Sequence, residues 1–292
     1  EDSRVNSYEI FVNQKQTRIR NSRGVDVTFS GFDCEIEVVT NSRKDDHEIE
    51  IYRDLRFSDK SAEKIIAEVR GMFHTGRQRL NAVPTRQNEH ADVLLSGDAV
   101  GSFFQDFAMH TNASYQYMGV AKAKIGESIT GADADPLNIR LVPTLDGSAK
   151  NAPYAETGMP VAERVLFENG ICRSYWGSLQ HAHYIGMKDT TSMNNMVVEG
   201  GSKTLDELRS MPHIEITDFS AFDMDAVSGT CGEIRLAYES DGTTSHPTTS
   251  GSLSARYDDV LKNLTFSKET QQLNNRVVPC AVLLRDVTVA GE

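Results

Sequence analysis

Gln105, Asp106 and His110 stand where this chain comes nearest to the chemistry of metal-assisted hydrolysis. They follow the apolar run Val93-Leu94-Leu95 and the pair Ser96-Gly97, the layout of a strand feeding a metal-binding helix. A zinc peptidase helix needs two imidazoles to hold the ion and a carboxylate to take a proton from the bound water. This segment offers one imidazole, one carboxylate and one amide. An ideal helix turns about 100° per residue, which sets Gln105 and His110 roughly 140° apart, whereas Asp106 and His110 share a face. An amide presents only a hard, neutral oxygen, so Gln105 removes most of the attraction for a borderline-soft cation. Three readings of the segment follow. It is an amphipathic core helix with Phe103 and Phe107 facing inward and Asp106 paired with His110 on the other side, or a surviving metal site, or a polar face that touches substrate.

Other candidate groups are sparser. His181-Ala182-His183 places two imidazoles on one side of a strand, with no third ligand in view. Asp133 with Asp135, and Asp223 with Asp225, lack the roughly twelve-residue calcium loop with its closing glutamate and read as turn caps. No Gly-x-Ser-x-Gly elbow, phosphate-binding loop or dinucleotide fingerprint occurs, so Gly200-Gly201-Ser202-Lys203 reads as a turn. The segments Glu199-Gly200-Gly201 and Ser250-Gly251-Ser252 permit close backbone approach. A peptide adding to an open sheet edge beside the Gln105 helix would use that freedom, with His181, His183, Gly200 and Gly201 as its contacts. Plain hairpin connections account for the same glycines.

The elements that must position these groups are mostly strands. Tyr8-Glu-Ile-Phe-Val12, Val25-Asp-Val-Thr-Phe29, Cys34-Glu-Ile-Glu-Val-Val39 and Glu48-Ile-Glu-Ile-Tyr52 alternate with period two. With turn chemistry at residues 21–24 and 41–43, they predict an antiparallel meander with one wet face. Residues 58–74 predict a helix capped by Ser58 or Asp59. Residues 93–95 predict a buried strand, 101–110 a helix, and 122–129 and 137–142 strands. Asn169-Gly170 between alternating runs is a strong hairpin signal, and Asp241-Gly242 marks a second. Short helices are expected at 204–209 and 258–264, a mobile loop at 240–254, and two closing strands within 277–289. The fold class is α+β and largely antiparallel, divided into a strand meander plus helix over 1–90 and a strand-rich region over 91–292.

Composition bounds the partners. At 39% hydrophobic and 25% charged residues the 292-residue chain is an ordinary globular protein. Its 42 acidic against 30 basic residues give a net charge of −12, which repels a nucleic acid. No apolar run approaches the roughly 20 residues that span a bilayer. The opening Glu1-Asp2-Ser3-Arg4 has no hydrophobic signal core and no methionine, so a fragment boundary is expected there. Cys34, Cys172, Cys231 and Cys280 form no Cys-x-x-Cys pair and read as reduced thiols of a cytoplasmic protein. Trp176, Tyr175 and Tyr184 are the aromatic side chains expected to anchor an interface.

Taken in order and spacing, several segments make the chain resemble the TldD/PmbA family, whose members are described as gyrase modulators and as metallopeptidases. These are Val93-Leu-Leu-Ser-Gly-Asp-Ala-Val, Glu168-Asn-Gly-Ile before Tyr175-Trp-Gly-Ser178, and Asn195-Met-Val-Val-Glu-Gly-Gly201, followed by Phe222-Asp-Met-Asp225 with Ser228-Gly229 and the ending Leu284-Arg-Asp-Val-Thr-Val-Ala-Gly291. The resemblance implies an additional N-terminal α/β domain that is missing here. In the catalytic branch it implies zinc held by His-Glu-x-x-x-His and a C-terminal cysteine. Laid on this chain, that motif falls on Gln105, Asp106 and His110, and the cysteine near Phe266. The match is therefore to the PmbA branch, also called TldE, whose members lack the ligands and pair with a catalytic TldD subunit that proteolyses and matures peptides. The expectation is a partner subunit with no cofactor of its own, as a homodimer or a heterodimer with a TldD-type chain, binding peptide but neither nucleic acid nor membrane. The alternative is an active metallopeptidase in which Asp106, with His110 and His181 or His183, builds a non-standard site.

Overall fold

The computed structural model describes residues 2–224 and 230–292. It opens with β1 (Asp2–Arg20), β2 (Asp26–Lys44) and β3 (His47–Phe57), an antiparallel three-stranded sheet in the order β1-β2-β3. Helix α1 (Ala62–Leu80) packs its Ile65, Val69 and Met72 against Ile36, Val38 and Ile51 of that sheet, closing a small core.

The meander differs from its prediction in one respect: β2 is continuous through residues 30–33 and 41–43. Thr40 and Ser42 are buried and keep the period-two alternation. The turn is made instead by Asp45, whose φ is 54°. Helix α1 starts later than expected. Ser61 Oγ accepts from Lys64 N at 3.4 Å, whereas the Ser58 N–H is committed to Gly147 O at 2.8 Å.

Beyond α1 come β4 (Val83–Pro84), β5 (Asn88–Ser96), α2 (Asp98–His110), α3 (Ala113–Met118), β6 (Ile139–Val142), β7 (Arg164–Glu168), β8 (Ile171–Cys172), α4 (Leu179–Tyr184), β9 (Asn195–Val198) and α5 (Leu205–Arg209). The chain continues through β10 (His213–Phe219), β11 (Thr230–Ser240), β12 (Ser245–Thr249), β13 (Ser252–Ser254), α6 (Tyr257–Val260), β14 (Thr265–Phe266), β15 (Thr270–Leu273), β16 (Arg276–Pro279) and β17 (Ala281–Ala290). One sheet has the order β10-β5-β17-β13-β11-β12-β4, and β10 also pairs with β11, so its central strands close on themselves. The other has the order β15-β16-β9-β6-β7-β8. Pairing is mostly antiparallel, with parallel contacts at β10–β5, β12–β4 and β16–β9. The main core joins α2 to strands of both sheets through Phe103, Phe104 and Phe107.

The Asn169-Gly170 hairpin forms as expected, with φ of 50° and 78° at the two turn residues. Two other expectations fail. Residues 122–129 form no continuous strand: Lys122 N donates to His110 Nδ1 and Ile125 N to the Tyr175 hydroxyl, each at 3.3 Å, and only the end of the segment meets backbone, through Gly126 N to Cys172 O, Ile129 N to Gly170 O and a bridge from Ser128 to Ile171. Residues 240–254 are strands β12 and β13, both paired to β11, with Thr248 fully buried. Their serines and threonines meet cross-strand partners, which outweighs the loop-like composition.

Candidate functional site

Strand β5 delivers α2 through a tight turn at Gly97. Its φ is 67°, and an added Cβ would lie 2.9 Å from Thr217 O, so a side chain is excluded on both counts. The helix then runs with one apolar face. Phe103, Phe104 and Phe107 are buried, Phe103 meeting each of the other two edge to face, while Gln105 and Asp106 are only partly covered.

Asp106 and His110 share a face, with His110 Nε2 3.5 Å from Asp106 Oδ2. His110 is buried, and its Nδ1 accepts from Lys122 N at 3.3 Å, which leaves the proton on Nε2, facing the carboxylate. Tyr257 of α6 closes the group, its ring centroid 5.0 Å from that of His110. Burial, and then the Asp106 carboxylate, push the Tyr257 phenol well above its ordinary range, so it is a neutral donor. Asp106 Oδ2, His110 Nε2 and the Tyr257 hydroxyl are each buried and face one another without a well-formed hydrogen bond, the Asp106–His110 approach being 3.5 Å. Outside them, Lys122 Nζ lies 4.8 Å above the Tyr257 ring and 2.6 Å from Asp258 Oδ1.

Phe266 is fully buried in β14, edge-on to Phe104 at 5.5 Å. Its N–H donates to Asp135 Oδ2 at 2.8 Å, so Asp135 is a buried cap for this strand. Gly201 lies against the same place, where a Cβ would come 2.2 Å from Phe266 O and 2.6 Å from Asp135 Oδ2. Gly200 is pressed equally closely on Lys268 O. The close backbone approach read from these glycines is thus made to the chain's own β14 segment. Asp223 N bonds Cys231 O, while Asp225, Ser228 and Gly229 lie outside the described residues.

His181 and His183 sit on helix α4, not on a strand. Ser178 caps that helix by accepting from His181 N, and two residues of helix turn the side chains about 200° apart. They do not converge with His110. Among the described residues no group of three or more His, Cys, Asp or Glu side chains is placed to hold one metal ion. Trp176 is a core residue whose Nε1 donates to Ala108 O at 2.8 Å, so it anchors α2 rather than an interface. Tyr184 is exposed, and with Tyr117, Met118, Val120 and Leu179 it forms an apolar patch over α3 and α4, the Tyr117 and Tyr184 rings 5.2 Å apart.

Tyr257 escaped sequence reading because nothing local links it to α2. A second cluster left a fainter signal in His213-Ile-Glu215, whose parity puts both polar side chains on one face of β10. Arg209 grips Glu215 with two bonds of 2.6 and 2.9 Å, and His213 Nε2 is 3.9 Å from the same carboxylate. Burial opposes the charge, but His213 and Arg209 bring the Glu215 pKa down to about 2. Burial likewise opposes the His213 charge, yet Glu215 and the Met211 carbonyl raise its pKa.

Residues 88–291 match the family described as the PmbA/TldA metallopeptidase C-terminal domain. Comparison with curated protein sequences finds no match. Among solved structures the chain is similar to TldE from Thermococcus kodakarensis, with a TM-score of 0.77 at 17% identity over 96% of this chain and 68% of that one. It is similar to a proposed modulator of DNA gyrase from Thermotoga maritima, with a TM-score of 0.76 at 17% identity over 97% of this chain and 68% of that one. A third relative, a proposed gyrase modulator from Bacteroides thetaiotaomicron, gives 0.73 at 14% identity over 93% of this chain and 63% of that one. These likenesses establish a common fold, and the match over residues 88–291 places the chain in the PmbA/TldD family.

Proposed function

We propose that the chain is a PmbA/TldE-like partner subunit, which docks on a TldD-type catalytic chain and contacts peptide without cutting it. The observation that carries this reading is Phe266. At the position where the catalytic branch has a thiolate stands a fully buried phenyl ring packed on Phe104. The remaining donors do not fit zinc. Two nearby side chains, Asp106 and His110, offer one oxygen and one nitrogen, Gln105 adds at best a neutral oxygen, and a zinc site needs about three or four good donors. What these residues do instead is hold one another: His110 orients Lys122 through its backbone, and Asp106 faces the imidazole.

The surface for the catalytic chain is the α3/α4 patch, which begins just after His110 and presents two tyrosines and a methionine, residue types enriched at interfaces. Light scattering of the chain mixed with a family member carrying an intact His-Glu-x-x-x-His should find a heterodimer. Replacing Tyr117 and Tyr184 by aspartate should weaken it at least tenfold. Absence of any complex, or one indifferent to both replacements, would sink the partner role.

A second reading has its own support. Three buried polar atoms, on Asp106, His110 and Tyr257, gather at one place without a well-formed hydrogen bond among them, as in a metallopeptidase site of unusual make-up. In that case Asp106 would be the group placed to accept a proton and the Tyr257 hydroxyl the group placed to donate a hydrogen bond.

A further inference from the structure

At the amino-terminal end of α2, away from Asp106 and His110, a partly buried arginine stands without a counter-ion. Arg276 opens β16, and its guanidinium lies against the first turns of α2. A Cβ added at Gly101 would come 3.3 Å from Arg276 Nη1 and 3.1 Å from Leu273 Cδ1, so glycine is what makes room for the group. Its Nε is buried with no hydrogen-bond partner, and it forms no ion pair among the described residues. Burial lowers its pKa, and Asp98 is the acid whose charge opposes that shift. A cation held in this way is costly unless something supplies the missing charge.

Arg276 lines a cavity of about 640 Å³, with β3 and α1 on one side and α2, β15 and β16 on the other. The other arginines and the lysine of its wall are already matched: Arg53 to Asp218 at 3.2 Å, Arg56 to Asp54 at 2.8 Å and Lys60 to Glu68 at 2.9 Å. Those pairs also use up Asp54 and Glu68. Asp98, exposed on the same wall, is the remaining carboxylate, and it forms no ion pair with Arg276. Asp98, Gly101 and Ser102 share one face of α2, and residues three apart on a helix hold their Cβ positions about 5–6 Å from each other. Two opposite charges thus flank one opening without meeting, and Thr75, Ser102 and Thr217 set hydroxyl groups beside them.

We propose that this cavity binds a free α-amino acid with a polar side chain, its carboxylate on the Arg276 guanidinium and its ammonium on the Asp98 carboxylate. A guanidinium presents its donors in a planar fork that matches a carboxylate, and such charge-assisted bonds are about twice as strong as neutral ones. A simple anion would be repelled by Asp98 and a simple amine by Arg276, so the wall selects a ligand that carries both signs a few ångströms apart. The interior of a peptide has neither charge on its backbone and each peptide end has one, which separates this ligand from a polypeptide. The neighbouring hydroxyl groups suit an amide or hydroxyl side chain. Gly101 is roughly 13 Å along α2 from His110, so the site depends on neither reading of the Asp106 group.

Saturation-transfer NMR and calorimetry of the purified chain, with L-glutamine as the probe, should show saturable binding with a Kd of about 1 mM or tighter. N-acetyl-L-glutamine lacks the ammonium, L-glutaminamide lacks the carboxylate, and inorganic phosphate carries one sign only. Each should bind about tenfold more weakly than L-glutamine, or not at all. Arg276→Gln and Asp98→Asn should each weaken L-glutamine binding by about tenfold or more. Gly101→Ala should weaken it too, since the methyl group meets the guanidinium. Circular dichroism checks the fold of each variant, and Asp98→Asn, an exposed change, carries the test if Arg276→Gln does not fold. No binding of L-glutamine at up to about 10 mM would overturn the proposal. So would equal binding of phosphate or of either blocked form, or binding indifferent to Asp98→Asn.

Discussion

Replacing Phe266 by alanine should lower the unfolding free energy by about 3–5 kcal/mol, the range for emptying an aromatic site in a closed core. The ring is fully buried and meets Phe104 edge-on, and Phe104 in turn meets Phe103, so the cavity would open beneath α2. Collapse into the space is restrained, because the backbone of β14 is pinned by Asp135 at Phe266 N and by β17 at its other side. The midpoint of thermal unfolding should fall by on the order of 10 °C. A change within a degree or two would show that the residue is not the packing element described.

The second large effect is electrostatic and reads out against pH. Glu215→Gln should destabilise the protein by about 2–3 kcal/mol near neutral pH, and it should flatten the acid limb of its stability curve. The sign follows from the direction of each shift. Glu215 falls from an ordinary value of 4.5 to about 2, so its contribution is present above about pH 4.5 and is lost as pH falls toward 2. His213 is raised from 6.5, so its contribution is present below that value and is lost as pH climbs through its raised one. The cluster therefore contributes most between those limits. Partial exposure of Arg209 is the reason for an estimate below that of a wholly buried pair. Urea denaturation of both proteins at intervals between acid and mildly alkaline pH checks this, and parallel curves would contradict it.

How much the sequence disclosed depended on whether the relevant signal was local. The Asn169-Gly170 turn and the helical spacing of Phe103 and Phe107 are short-range patterns that produced the elements expected, and the period-two alternation near the start produced an antiparallel sheet, though its second and third runs fuse into the single strand β2. The strand layout of residues 240–254 was hidden because serine and threonine suit loops in isolation and strands once a partner is present. His181-x-His183 misled for the opposite reason. Spacing by two puts side chains together on a strand and apart on a helix, and Ser178 as an N-cap settles it for the helix.

The Asp106–His110 contact was legible from helical spacing alone, since residues four apart share a face. Tyr257 was not legible, because it reaches His110 only through the packing of α6 on α2. The two glycines at 200 and 201 were rightly read as places of close backbone approach. Which backbone approaches them could be learned only from the fold.

The most direct test of the partner reading is to incubate the purified chain with an unstructured polypeptide under excess zinc and follow the appearance of new amine ends. No cleavage above background is expected, because an activated water and a base each contribute orders of magnitude and the donors for the metal are wanting. Gln105→His with Asp106→Glu should recover nothing, since Phe266 would still be apolar. Chelator-sensitive cleavage that is abolished by Asp106→Ala would contradict the account and establish the Asp106–His110–Tyr257 group as a working site.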